Sequence, residues 1–407
     1  MKPSSARPSP LSRRSLLAAS AATALLMLPG CGGGGDGGSA GVGTGGTGSF
    51  TSGPIRGFGS IVVNGVRYDD AAAQVVGDGG AALARSDLRL GMVVDVSGSD
   101  VSTATDGRRS ATATSIGVRS EIEGPVSAVN AAAGTLTVLG QQVQITPTTV
   151  FDDDLRGGLA AVAVGMVVEV YGFLQPSGQY LATRIDDEDD PVTHYKLRGV
   201  VSGLDTAART FRIGTALVSY ADIAASVSGL ANGQYARVEL QRTPDASGAW
   251  RARSIRLATT AIGMPAGDGV KAEIEGYITA FTSDARFSVA GIVVDASAVG
   301  QLPPGLAVGR RVEVEGVLSG GVLVARSVEF EDDDDDDDDE FEIEGGITSV
   351  SASARTFSVR GITVNYANAR FKDGTAEQLA PGVKVEVEGQ LASDGTTLLA
   401  TEVEFDN

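Results

Sequence analysis

The sequence predicts an all-β protein built as five tandem copies of one small unit, and three observations carry that reading. Short runs alternate apolar and polar residues with a period of two. In Val383 to Gly389, Val383, Val385 and Val387 alternate with Lys384, Glu386 and Glu388, as in a half-buried strand with one set of side chains inside and the other in water. Glycine is abundant, 55 of 407 residues, and aromatics are only 5%, as expected of many short strands joined by tight turns. Finally, the runs recur: glycines of equivalent first strands stand at Gly57, Gly124, Gly199, Gly276 and Gly345, at intervals of 67 to 77 residues.

In chain order, residues 1 to 30 combine an Arg-bearing start with an apolar run from Leu16 to Leu28. The run is too short to span a bilayer and has the anatomy of an export signal. Ser12-Arg13-Arg14-Ser15-Leu16-Leu17 resembles a twin-arginine signal, and Arg13 and Arg14 are its carriers. Leu28-Pro29-Gly30-Cys31 resembles a bacterial lipobox, which implies lipidation of Cys31, the only cysteine. A lone cysteine also excludes an intramolecular disulfide and any Cys-based zinc site. The expectation is export to the cell envelope and a membrane anchor through the N-terminal lipid. Gly32 after the cysteine favours the outer membrane by resemblance to lipoprotein sorting rules. Residues 31 to 52 read as a disordered Gly-rich tether.

The repeats follow at 53–119, 120–186, 194–257, 271–330 and 341–407. They are separated by an acidic linker (187–193), a linker at 258–270 and a poly-Asp linker (331–340). The fourth strands read GMVVDVSG, GMVVEVYG, GQYARVEL, GRRVEVEG and GVKVEVEG, and the last strands end in segments such as LATRID, VARSVEF and LATEVEF. In the fifth copy the apolar parity flips around Gly361, from Phe357 and Val359 to Ile362 and Val364, which requires a bulge or a tight turn.

FGSIVVNGVRYD (Phe58 to Asp69), the EIEG openings of repeats 2, 4 and 5, and the GxxVEVEG and LATxVEF segments resemble the bacterial domain of unknown function 5666, a family found in tandem on exported proteins. The resemblance covers about residues 53 to 407, with repeat 3 the most divergent copy. It implies no activity. A unit with about five strands and a glycine-broken second strand resembles a small OB-like closed barrel, whose closure removes aggregation-prone edges. Ig-like or SH3-like units fit the same pattern.

The formal net charge is −19, and much of it sits in Asp186 to Asp190 and in Glu331 to Glu340. Repeat 3 stands apart with a balance of +5 over residues 191–257. Its first strand carries Lys196 and Arg198 where repeats 2, 4 and 5 carry Glu121/Glu123, Glu273/Glu275 and Glu342/Glu344. Lys196, Arg198, Arg209 and Arg212 thus form a candidate anion-binding face. Three readings compete: docking of an acidic linker of the same chain, binding of an external anion such as an envelope polysaccharide, or a merely solvated surface. The Asp run and Asp152-Asp153-Asp154 invite a calcium reading, although the run lacks the spacing of an EF-hand loop and suits an extended spacer.

Catalytic chemistry is poorly supplied. His194 is the only histidine, the single cysteine is committed to the lipobox, no phosphate-binding loop occurs, and the paired glutamates recur as strand exteriors. Trp250, Tyr195, Tyr220 and Tyr235 accompany the basic residues of repeat 3, yet the overall negative charge argues against nucleic acid. The sequence therefore predicts a non-catalytic, monomeric, lipid-anchored spacer or interaction scaffold that uses no cofactor. Its partner would be an envelope protein or polysaccharide. The alternative is a ligand-binding module, for an anionic glycan on repeat 3 or for calcium on the acidic clusters.

Overall fold

The computed structural model describes residues 48–188, 192–258, 260–265, 267–331 and 340–406. Arg13, Arg14, Cys31, most of the tether and the Asp run at 332–339 lie outside them. The described chain is all-β, with only short 3-10 turns between strands.

Repeat 2 shows how the unit closes. Its five principal strands are Ile122–Asn130, Thr135–Val138, Gln141–Gln144, Val167–Leu174 and Tyr180–Asp187. The first pairs antiparallel with the second and the fourth, the second with the third, and the fourth with the fifth. One parallel contact, Val143 opposite Tyr180, joins third to fifth. The ring order 1-2-3-5-4-1 is a closed Greek-key barrel of the OB-like kind. Repeats 3, 4 and 5 have the same pairings, including the parallel one. In repeat 1 the first strand is split into Ser49–Pro54 and Gly57–Phe58, and its third and fifth strands, Val66–Asp69 and Arg109–Arg119, again run parallel.

The recurrent glycines have distinct physical roles. Gly91, Gly165, Gly233, Gly309 and Gly382, each just before the fourth strand, all have φ between +77° and +97°, a region where a side chain would clash with its own backbone. The glycines ending the fourth-strand motif, Gly98, Gly172, Gly316 and Gly389, sit where the register to the last strand shifts. A Cβ at any of the four would collide with a backbone carbonyl of the neighbouring strand. Repeat 3 has Leu240 there and still bulges. Around Gly361 the parity change is a tight turn, with Arg360 at φ +52° and Gly361 at +86°, the paired left-handed geometry of a two-residue hairpin.

Valines and isoleucines of the inward positions, such as Val168, Val170, Ile274, Val314, Val385 and Val387, are fully buried inside the barrels. The outward positions depart from expectation. Several are buried as well, because the barrels mate through their first strands. Ser49–Ser52 pair parallel with Lys271–Ile274 of repeat 4, Gly57 and Phe58 pair parallel with Glu342 and Ile343 of repeat 5, and Ile122 and Glu123 pair antiparallel with Leu197 and Lys196 of repeat 3. Repeat 1 therefore begins at Ser49, inside the stretch read from sequence as tether: Ser49, Thr51 and Ser52 are buried by pairing on both sides, with Val96 and its neighbours in their own barrel and with repeat 4.

Candidate functional site

The charged strand exteriors meet one another between barrels. Arg109 of repeat 1 holds Glu273 of repeat 4 at 2.5 Å, Arg67 holds Glu386 of repeat 5 at 2.8 Å, and Arg311 holds Glu275 within repeat 4 at 2.5 Å. Glu121, Glu123, Glu273 and Glu275 are all buried. Alternation alone assigns these carboxylates to water. The second burial comes from packing of one repeat on another, and it corrects that assignment.

Repeat 3 carries opposite charge for the same reason. Lys196 lies 2.5 Å from Glu123 and 2.9 Å from Glu169, both of repeat 2. Arg198 and Arg237 share Asp78, which lies in a glycine-flanked turn of repeat 1, with Arg237 Nε 2.6 Å from its carboxylate. Burial opposes the charge on Lys196, but Glu169 and Glu123 outweigh it and raise its pKa. Lys196 and Arg198 therefore face acids of their own chain, on strands and a turn and not on a linker run, and are not laid out toward an external anion. Arg209 and Arg212 are exposed, Arg212 donating to the Thr215 carbonyl at 2.9 Å. Of the four, Lys196 and Arg198 are thus half-buried in ion pairs, and Arg209 and Arg212 stay open to solvent.

The aromatic residues of repeat 3 are also spoken for. Tyr195, Tyr220 and Tyr235 are buried, and Trp250 meets Tyr195 edge-on at 5.8 Å. His194 is tied to Thr193 through Nδ1 at 2.9 Å, and burial lowers its pKa. Asp152 accepts from the Asp154 amide, capping a short 3-10 turn, and pairs with Arg184. No group of three or more His, Cys, Asp or Glu side chains among the described residues is placed to hold a metal ion.

Of the clefts that open where barrels meet, two contrast in their lining. One, of about 360 Å³, is walled by carboxylates that include Glu275, Glu313, Glu331, Glu340 and Glu342. Burial lifts Glu342 to about 8 against the pull of Arg67. The other, of about 430 Å³, lies between repeats 2, 3 and 4 and the segment around Ile262. Phe173, Leu174, Tyr180, Ile213 and Tyr277 line it, with Arg119 and Glu121 among its polar groups. The Tyr235 hydroxyl donates to Glu121 at 2.7 Å. Burial raises the pKa of Glu121, while Arg198 and Arg119 pull it the other way. The site is not visible in the sequence because its residues come from four copies and a linker, and those that fall in the repeat motifs, such as Glu121, Gly172 and Glu275, read there as parts of the strand frame.

Comparison with known proteins agrees with the repeat. The family model described as domain of unknown function (DUF5666) matches residues 123–186, 275–329 and 344–404. The matched segments fall in repeats 2, 4 and 5. Repeats 1 and 3, with the split first strand and the inverted charge, lie outside the matched segments. No curated protein matches the chain. Among solved structures, a chain titled drosophila Unr CSD456 is similar at 15% identity over 53% of this chain and 98% of that one, with a TM-score of 0.14. No helix of the described residues is long and apolar enough to cross a membrane.

Proposed function

We propose that the mature protein is a non-catalytic, lipid-anchored scaffold of the cell envelope, a monomer held by Cys31 and its Gly-rich tether, that presents five barrels as one body to an envelope protein or polysaccharide. The observation that carries this reading is the mating of first strands sealed by Lys196–Glu123, Arg109–Glu273 and Arg198–Asp78. Barrels locked in this way hold surface features at fixed separations, which a chain of loose beads does not. The spacer role is accordingly narrowed: the reach belongs to the tether, and the barrels supply shape.

Catalysis is not part of the proposal, since the only histidine is engaged with a neighbouring threonine and the buried carboxylates serve ion pairs. Nucleic acid is not a proposed partner either, because Tyr195 and Tyr220 are packed in the third barrel's core, Trp250 leans edge-on against Tyr195, and Tyr235 is buried against Glu121 of repeat 2. The glycan alternative loses Lys196 and Arg198 to intrachain acids, and the calcium alternative has no support among the described residues.

Two measurements test the proposal. Small-angle scattering of the unlipidated mature chain should give a radius of gyration near the roughly 20 Å of a compact body of this length, enlarged only by the tether; a value typical of an extended string would overturn it. Labelled fatty acid should enter the wild-type protein in its host and fail to enter Cys31→Ser, which should leave the membrane fraction.

A further inference from the structure

Among the described residues, repeat 4 lacks a cover that its siblings possess. In repeat 1 a short sixth strand, Gln74–Val76, runs parallel to Ser115, Ile116 and Gly117 of the last strand. Val150–Phe151 lies likewise along Arg184 and Ile185 in repeat 2, and Arg370–Lys372 along Glu402, Val403 and Glu404 in repeat 5. In repeat 3 a 3-10 turn, Ala221–Ser226, packs on the last strand instead. Repeat 4 has neither between its third strand, Ile292–Asp295, and its fourth, Arg311–Ser319. The connection is short, residues 296–310 against 70–92, 145–166 and 366–383 in repeats 1, 2 and 5. Its last strand, Val322–Phe330, meets the third only through Leu323 and Val324. Beyond them it has a strand neighbour on one side alone, Arg311–Ser319.

The bulges align the repeats residue for residue. Gly316 stands opposite Ala325 as Gly389 stands opposite Ala400, so Ser327, Val328 and Glu329 occupy the places of Glu402, Val403 and Glu404. The uncovered edge therefore keeps the register of the sixth strand. In repeat 2 the carbonyl of Ile185, the counterpart of Val328, accepts from the Asp152 amide at 3.0 Å. Beside Val328 lies an open groove of about 630 Å³, lined by Val299, Leu302 and Pro303 of the short connection and by the strand itself. An unpaired strand edge is a template for one more strand, with main-chain hydrogen bonds giving affinity and alternate side chains giving specificity.

The sister strands and the local charge define what fits. The residue opposite the Val328 position is Val75, Phe151 or Phe371, apolar each time. In repeat 5 Lys372 stands opposite Glu404 and pairs with Glu402. Glu329, the counterpart of Glu404, is exposed, and Glu313 faces it across the strand pairing. This end of the edge is acidic, and the sequence runs on from Glu331 into eight aspartates. An acidic strand, or the same edge of a second copy, would add like charge there. We infer that the open edge of repeat 4 takes up, in parallel, an extended segment of a partner protein with an apolar residue opposite Val328 and a basic residue opposite Glu329. The inference rests on the scaffold reading only in taking a protein as the partner.

The test is fluorescence anisotropy of labelled hexapeptides with the full exported chain, kept unlipidated by Cys31→Ser. The probe is Ala-Arg-Phe-Lys-Lys-Ser, blocked at both ends. One control, Ala-Glu-Phe-Glu-Glu-Ser, reverses its charge; the other is the probe N-methylated at Phe and at the first Lys, which keeps the charge and prevents strand pairing. The probe should bind saturably at one site, and both controls at least about tenfold more weakly. Glu329→Lys, at an exposed position, should not lower the melting temperature and should invert the preference between the basic and acidic peptides. Replacing residues 332–339 by a neutral Gly-Ser segment should leave the probe bound and the N-methylated form discriminated against. No saturable binding, equal binding of the probe and its N-methylated form, an unchanged preference in Glu329→Lys, or loss of binding in the Gly-Ser replacement would each overturn the inference. Any of these beside a compact radius of gyration leaves the scaffold reading standing, whereas an extended chain that still binds the probe overturns that reading alone.

Discussion

Lys196 of the third barrel stands directly across the strand pairing from Glu123 of the second, its ammonium 2.5 Å from that carboxylate and 2.9 Å from Glu169. The reversal of charge that makes repeat 3 the outlier in composition is thus a lock between neighbours. Lys196→Glu would gather like charges in a space that water reaches poorly, and breaking a buried pair typically costs about 3–5 kcal/mol. With Lys196 partly exposed and Glu123 buried, we expect about 3 kcal/mol, read as a lowered midpoint in urea unfolding. The double exchange Lys196→Glu with Glu123→Lys should recover most of the loss. Recovery separates charge pairing from a packing defect, which the exchange would leave in place.

Stability should fall as pH rises from about 5 to 8.5. Burial, then the neighbouring Glu169 and Glu123, push Glu188 from an ordinary 4.5 up to about 8, and Glu342 likewise titrates near 8. Between those limits the two folded-state carboxyls hold protons that the unfolded chain has released, so their contribution to stability is fully present below pH 4.5 and is lost as pH climbs through 8. His194, lowered by burial, opposes this over the acidic part of the window, and the raised Lys196 titrates above it. The urea midpoint should drop between pH 5 and 8.5. Glu188→Gln with Glu342→Gln should flatten the slope, and an unchanged slope would reject the assignment.

Two glycines of repeat 4 separate clash from strain. A Cβ on Gly316 would strike the Val324 carbonyl, whereas a Cβ on Gly309, at φ +90°, meets nothing within 4 Å. Gly309→Ala should therefore cost only the left-handed backbone penalty, about 1 kcal/mol. Gly316→Ala must move a strand and should cost about 3 kcal/mol, at the upper end of single-residue effects. Thermal unfolding of the two variants would rank them, and the opposite order would deny the bulge its role.

Much of the barrel was legible in the sequence because its causes are local. Val385 and Val387 alternate with Glu386 and Glu388 whatever lies beyond the strand, and glycine is favoured where φ is strongly positive and needed where a neighbouring carbonyl comes close. The mating of barrels was not legible. A period of two says which side chains leave the barrel interior but not whether a second barrel waits outside, so Glu273 and Glu275 read as solvated. Asp78 was the hardest to see: it lies in Gly77-Asp78-Gly79-Gly80, which reads as an ordinary turn, and its partners are 120 and 159 residues away.

That turn supplies the sharpest discrimination between two accounts of the basic third repeat. If an acidic linker neutralised it, replacing residues 332–339 by a neutral Gly-Ser segment would change the salt dependence of hydrogen exchange in strands Tyr195–Asp205 and Tyr235–Leu240. The structure instead gives Arg198 and Arg237 to Asp78, whose side chain is 5% exposed. Asp78→Ala strands two guanidinium groups that are 15% and 7% exposed, and leaving buried charge without its partner costs about 3–5 kcal/mol. Exchange in those two strands should accelerate markedly in Asp78→Ala and remain at the wild-type rate in the linker replacement at every salt concentration. The reverse pattern would return the basic face to the linker and remove the lock between repeats 1 and 3.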